Sequence, residues 1–229
     1  GMAVRAPGAA TLDAFWSNLR RGVESIRRFS PDELRENGEA PDLITNPDYV
    51  NARPVLDRIE DFDAAFFGLS PQDAAITDPQ HRLFLEVGWE ALEHAGYAPS
   101  RLGGQVGVFA TSGMNSYMMY HLVTNPRIMR TVGEWLVRHT GNDPSFLATS
   151  LSYHLNLKGP SINVQCACSS ALVAVHLAVQ SLTSGECDMA LAGGSVIVLP
   201  QDRGYLHQAG EILARDGHCR PFDAHATGT

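Results

Sequence analysis

Apolar positions along the chain recur with two different periods, and the two alternate. Leu12, Phe15, Trp16 and Leu19 share one face of a helix predicted over 12–19. A second helix is bounded on both sides. Asp78 can cap it, because a carboxylate accepts the unpaired N–H groups of a first turn, Pro79 suits the first helical position, and Gly96 suits a left-handed stop. Between these signals Leu83, Phe84, Val87, Ala91, Leu92 and Ala95 predict a buried face. Strand-like runs follow at 105–111, 161–167 and 188–199, the last broken by Gly193 and Gly194. Helical patterns lie between them, one opening at Asp143 and Pro144 and running to Leu155, the other spanning 168–182. Apolar strands alternating with helices predict an α/β fold with a largely parallel sheet. The segment 28–61 shows no period, and Pro31, Gly38, Pro41, Pro47 and Pro54 punctuate it, so it reads as a long surface loop with one helical turn.

Composition narrows the class. The 229 residues are 44% hydrophobic and 18% charged, which excludes a disordered tail or a fibrous repeat. Seventeen basic against 25 acidic residues give a net charge of −8, and no Lys/Arg cluster is present, which argues against nucleic acid or an anionic membrane surface as partner. No apolar run is long enough to span a membrane, and nothing at the start resembles a signal peptide, so the cytoplasm is the expected location. The stretch 112–142 reads as an insertion holding Met114, Met118, Met119 and Met129; methionines in such a cluster serve either core packing or an adaptable apolar pocket or partner surface.

Four cysteines, Cys166, Cys168, Cys187 and Cys219, are too few and too irregular for a disulfide scaffold, and the spacing of Cys166 and Cys168 is not that of a zinc pair. Cys168 is the candidate nucleophile. It falls where a strand gives way to a helix, followed by the small residues Ser169, Ser170 and Ala171, and a helix start favours the thiolate. Cys166 is the competing thiol, expected within the strand. His176 is eight residues farther along the helix and reads as a packed histidine rather than a base.

Several segments together resemble one family. Asp61-Phe-Asp-Ala-Ala-Phe-Phe-Gly68, Asp78-Pro-Gln-His-Arg-Leu83, Trp89-Glu-Ala-Leu-Glu-His-Ala-Gly-Tyr97, Ala167-Cys-Ser-Ser-Ala-Leu-Val-Ala-Val-His176, Ala190-Leu-Ala-Gly-Gly-Ser195 and Gly217-His-Cys-Arg-Pro-Phe-Asp223 are similar, in this order, to motifs of the β-ketoacyl synthase (ketosynthase) domain of modular polyketide synthases. The resemblance implies a thiolase-like fold, layered α-β-α-β-α in the complete domain, of which residues 1–229 would be the N-terminal part, cut at both ends. It implies a homodimer in which the strand 161–167 pairs antiparallel across the twofold, with 112–142 near the acyl tunnel or the dimer interface. It also implies a reaction. Cys168 would accept an acyl chain from the phosphopantetheine arm of an acyl carrier protein, and a malonyl-type extender would then condense with it after losing carbon dioxide. No cofactor is expected on the chain itself, and the partners would be the carrier protein and neighbouring polyketide synthase domains.

Departures from the family pattern matter. Gln165 and Cys166 stand where the family commonly has Asp and Thr, and Ala6 replaces an aromatic in Gly1-Met-Ala-Val-Arg-Ala-Pro-Gly8. His225-Ala-Thr-Gly-Thr229 imitates a catalytic histidine motif but directly follows the Arg-Pro-Phe-Asp segment, so His225 is assigned to a variable position. The two family histidines are therefore expected beyond these residues, and the segment alone is not expected to condense. The alternative within the family is a non-elongating, ketosynthase-like partner or gatekeeper, against which the presence of Cys168 weighs. Asp78-Pro-Gln-His-Arg82 is read as a helix start without chemistry.

Overall fold

A computed structural model describes residues 1–139 and 141–229. Helix α1 (Leu12–Arg21) begins where the Thr11 hydroxyl accepts the Ala14 N–H and ends at Gly22, whose φ of 63° is left-handed. Its predicted apolar face is not buried, and Trp16 and Leu19 are exposed.

The segment read as a loop is instead a run of short elements: β1 (Ile26–Arg28), α2 (Pro31–Glu36), α3 (Pro41–Ile44), β2 (Tyr49–Val50) and β3 (Ala52–Pro54). Pro31 and Pro41 do not break structure here. Each occupies the start of a helix, where a missing N–H costs nothing, and Ser30 and Glu33 form a reciprocal capping box at the first. Phe29, Leu34, Val50 and Ala52 are buried. The strands escaped detection because two or three residues carry no period, and because β2 pairs with residues far along the chain, Tyr205 and Leu206.

Helix α4 (Pro71–Ile76) leads into α5 (Pro79–His94), where Asp78 accepts the Gln80 N–H at 2.8 Å and Gly96 follows with a φ of 82°. The predicted boundaries hold, but the buried face is turned. Gln80, His81, Phe84, Leu85, Gly88 and Leu92 are inside, whereas Leu83 and Val87 are half-buried. Gly88 lets α5 close on its neighbour, since a Cβ there would lie 2.8 Å from Leu151.

Strand β4 (Val106–Ser112) is buried throughout. It is followed by a π-helical turn (Met118–Leu122), α6 (Pro126–Thr131), α7 (Glu134–His139), α8 (Leu147–Leu155), β5 (Ser161–Asn163), α9 (Ser170–Thr183), β6 (Met189–Ser195) and β7 (Tyr205–Leu206). The order β5-β4-β6 forms a parallel sheet, with Phe109 opposite Ile162 and Thr111 opposite Gly194. Successive β4 residues point to opposite faces. Val106, Val108 and Ala110 join the α5 and α8 core with Leu92, Leu147 and Leu151, whereas Phe109 packs with Val164, Ala174 and Ala178 of the α9 layer. The sheet is thus covered on both faces, which is why its central strand reads as continuously apolar.

The chain divides into two compact units. One comprises 1–3 and 58–199 and holds the parallel sheet; the other comprises 4–57 and 200–229 and holds the pairs β1–β3 and β2–β7. In the second, His218 Nδ1 lies 2.6 Å from Glu24 Oε2 and Arg28 donates to the Asp216 carbonyl at 2.8 Å, tying the later segment to the earlier. In the first, part of the stretch 112–142 builds a small core of its own, where Leu122, Val137 and Ile76 pack with Met118. No helix among the described residues is long and apolar enough to cross a membrane.

Candidate active site

Parallel strands of an open sheet leave a crevice at their carboxyl ends, where the connections diverge to opposite faces. Here β4 ends at Ser112, β5 at Asn163 and β6 at Ser195. A cavity of about 460 Å³ lies at these ends. Thr111, Ser112, Gly113 and Met114 line it from β4, Gly194 and Val196 from β6, and Gln165, Ala167, Cys168, Ser170 and Ala171 from the turn into α9.

That turn is built differently from the predicted strand-to-helix step. Strand β5 stops at Asn163, and Val164 extends the ladder by one bond, its N–H donating to Ala110 O at 2.8 Å. The Gln165 amide then donates to Ser112 O at 3.1 Å, holding the chain beside the end of β4. Ala167 takes a φ of 52°, a left-handed conformation that costs an L-residue roughly 1–2 kcal/mol. A 3-10 turn (Ala167–Ser169) follows, and the α-helix begins only at Ser170. The strand therefore ends before the turn, short of the predicted 161–167.

Local hydrogen bonds hold the strained turn. Buried Ser170 is central: its Oγ accepts the Cys166 N–H at 2.7 Å and donates to Ala167 O at 2.7 Å. Ser169 Oγ donates to Cys166 O at 2.8 Å. The turn leaves Cys168 exposed and facing the cavity, in front of the α9 N-terminus, where N–H groups lack intrahelical partners.

Other predicted residues fall elsewhere. Cys166 is not in a strand; it caps the 3-10 turn and is exposed, but it does not line the cavity. Cys187 is buried. His176 is exposed rather than packed, because it lies on the face of α9 that also exposes Leu172, Val175 and Val179. His225 belongs to the second unit, exposed, with its N–H donating to Asp223 Oδ1 at 2.7 Å. Met114 lines the cavity, while Met118 packs in a core. Among the described residues no three His, Cys, Asp or Glu side chains are grouped to hold a metal ion.

Sequence reasoning missed Ser170 as a brace and Gly194 as a requirement. A Cβ on Gly194 would lie 2.7 Å from Thr111 O, so only glycine fits at this edge of the cavity. The signal was present in the Gly193-Gly194 interruption of an otherwise apolar strand.

An exposed thiol on a braced turn, beside a cavity at the ends of a parallel sheet, is the arrangement that covalent chemistry on cysteine calls for. Comparison supplies the family. All 229 residues match the model of the β-ketoacyl synthase N-terminal domain, and the chain belongs to that family of transferases, with the N-terminal half of its thiolase-like fold. It is 50% identical over 234 residues to a phenolphthiocerol/phthiocerol polyketide synthase component of Mycobacterium tuberculosis, and 39% identical over 231 residues to the polyketide synthase PksN of Bacillus subtilis. Both matches cover the whole chain, but only 16% and 4% of those proteins. Among solved structures, ketosynthase twelve of the bacillaene polyketide synthase of Bacillus amyloliquefaciens superposes with a TM-score of 0.90 at 40% identity, over the whole chain and 39% of that one. The chain is thus a ketosynthase segment of polyketide synthase type, spanning well under half the length of these relatives.

Proposed function

We propose that Cys168 receives an acyl chain from the phosphopantetheine arm of an acyl carrier protein. The observation that carries this reading is an exposed thiol, on a left-handed turn braced by Ser170 and Gln165, opening onto a cavity large enough for a short acyl group. The thiolate attacks the thioester carbonyl carbon and a new carbon–sulfur bond forms. The bond to the carrier sulfur then breaks, and the carrier leaves as a thiolate that takes up a proton. The backbone N–H of Cys168 is the local donor for the oxyanion that develops on the way.

In the second half-reaction a malonyl-type extender on another carrier loses carbon dioxide, and its carbanion attacks the Cys168 thioester to form the new carbon–carbon bond. The resemblance assigns that step to two histidines in a later part of the domain, so we assign it to no residue of this chain. Residues 161–163 form an edge strand with Ile162 exposed, which suits antiparallel pairing with a second copy. Neighbouring polyketide synthase domains would supply the carriers.

The test is acyl transfer from a loaded carrier protein to the full chain. Wild type should gain the acyl mass and release free carrier thiol in equal amounts. Cys168→Ala should do neither, and acyl transfer that persists in this variant would overturn the assignment.

A further inference from the structure

Two segments leave the sheet side by side and both line the cavity, one through Gly113 and Met114 after β4, the other through Val196 after β6. The ladder continues between them through the Gly113 N–H donating to Ser195 O at 3.1 Å. Beyond that, side chains hold them.

Gln80, on the first turn of α5 and 1% exposed, binds both segments. Its Oε1 accepts the Gly113 N–H at 2.9 Å and the Ile197 N–H at 3.3 Å. Its Nε2 donates to Asp78 Oδ2 at 3.1 Å and to Met114 O at 3.4 Å, and its backbone carbonyl accepts Ser195 Oγ at 2.8 Å. Ser116 repeats the brace, donating to Ile197 O at 3.3 Å and accepting the Leu199 N–H at 2.8 Å. The segments also touch, since a Cβ at Gly113 would lie 3.0 Å from Val196 Cγ1.

Only a carboxamide fits this position. It must accept two N–H groups at one end and donate to a carbonyl and a carboxylate at the other. A carboxylate there would face Asp78, whose own pKa burial already raises. A hydrocarbon of the same length would leave buried N–H groups without partners.

We propose that Gln80 is a positioning residue that fixes the paths of the Gly113–Met114 and Val196 segments along the cavity, and so the space open to the acyl chain carried on Cys168. The proposal rests on Cys168 being the acylated residue. It assigns a role in acyl selection to the Asp78-Pro-Gln motif, which by sequence alone was a helix start.

The experiment compares short-chain and branched or long-chain acyl thioesters of N-acetylcysteamine as donors to the full chain, with Cys168 adducts quantified by mass spectrometry. Iodoacetamide alkylation of Cys168 and thermal melting are measured in parallel. Gln80→Met should change the ratio of kcat/KM between bulky and short donors by about five-fold or more, the scale of a small change in pocket shape. Alkylation by the small reagent should stay within about two-fold of wild type, because it makes no demand on the walls. Gln80→Glu should show the same altered ratio at neutral pH and return toward wild type as acid restores a donor proton. Should Gln80→Met not fold, Ser116→Ala reads the second brace in the same assay. Rates that fall together for every donor, in step with the folded fraction, would overturn the positioning role. Wild-type protein that is alkylated at Cys168 but acylated by no donor would overturn both this proposal and the function it rests on.

Discussion

Replacing Gly194 by alanine should destabilise the full chain by about 2–3 kcal/mol, the cost of overpacking a site that cannot relax. The same change at Gly193 should leave stability within about 0.5 kcal/mol. The two residues are neighbours in β6, and neither has a left-handed φ, so backbone preference does not separate them. Packing does. A Cβ on Gly194 would lie 2.4 Å from Thr111 Cγ2, 2.7 Å from Thr111 O and 3.3 Å from the Thr111 carbonyl carbon, whereas a Cβ on Gly193 meets nothing within 4 Å. The Thr111 methyl can rotate away, but its carbonyl is backbone of β4, held opposite Gly194 by the parallel register. Relief requires the two strands to part at the edge of the cavity. At about 2–4 °C per kcal/mol for a chain of this size, Gly194→Ala should lower Tm by about 4–12 °C. Urea midpoints and melting curves of wild type and both variants give the comparison. Equal effects at 193 and 194, or a neutral Gly194→Ala, would refute the register on which the cavity is built.

Acid stability should report His81. Burial holds its imidazole neutral, with a pKa pushed down to about 4, although Asp143 opposes the shift. The unfolded chain takes up a proton near the ordinary value of 6.5 while the folded one refuses it, so stability falls as pH drops from about 6.5 to 4 and levels off below, losing about 3 kcal/mol from this group. Urea titrations of wild type and His81→Leu should diverge across that window, and parallel curves would contradict the buried neutral histidine. Ser170→Ala removes the acceptor of the Cys166 N–H and the donor to Ala167 O, so it should cost about 1–3 kcal/mol and slow alkylation of Cys168 by iodoacetamide. An unchanged alkylation rate would show that the turn does not depend on this brace. Gln165→Leu loses a single bond, to Ser112 O, and should cost about 1 kcal/mol in a denaturation assay; a loss as large as that of Ser170→Ala would place the main support elsewhere.

Elements specified by neighbouring residues were legible in the sequence. Helix α5 is the clearest case, since Asp78, Pro79 and Gly96 act through contacts within one turn of the helix ends. The central strand β4 was equally visible, because burial along its whole length leaves it mainly apolar, whereas β5 is shorter than the run 161–167 that its pattern predicts. Strands that depend on a distant partner were not. Nothing within Tyr49–Val50 announces Tyr205 and Leu206, and a two-residue strand has no period to detect. The prolines of 28–61 were misread because the same residue that breaks a helix interior also begins one. The candidate site followed the same division. The placement of Cys168 at the turn into a helix was legible from the small residues beside it. The left-handed Ala167 was not, because alanine does not announce that conformation. The role of Gln80 was hidden for another reason: its partners, Gly113, Met114 and Ile197, lie 33 to 117 residues away.

The central claim is that one thiol of four, Cys168, carries the acyl group. Wild-type full chain is treated in separate samples with an acyl thioester and with limiting iodoacetamide, digested, and mapped by mass spectrometry. Both reagents should place their adduct on Cys168, with Cys187 protected by burial and exposed Cys166 and Cys219 modified more slowly. An acyl adduct found mainly on Cys166, Cys187 or Cys219 would contradict the account.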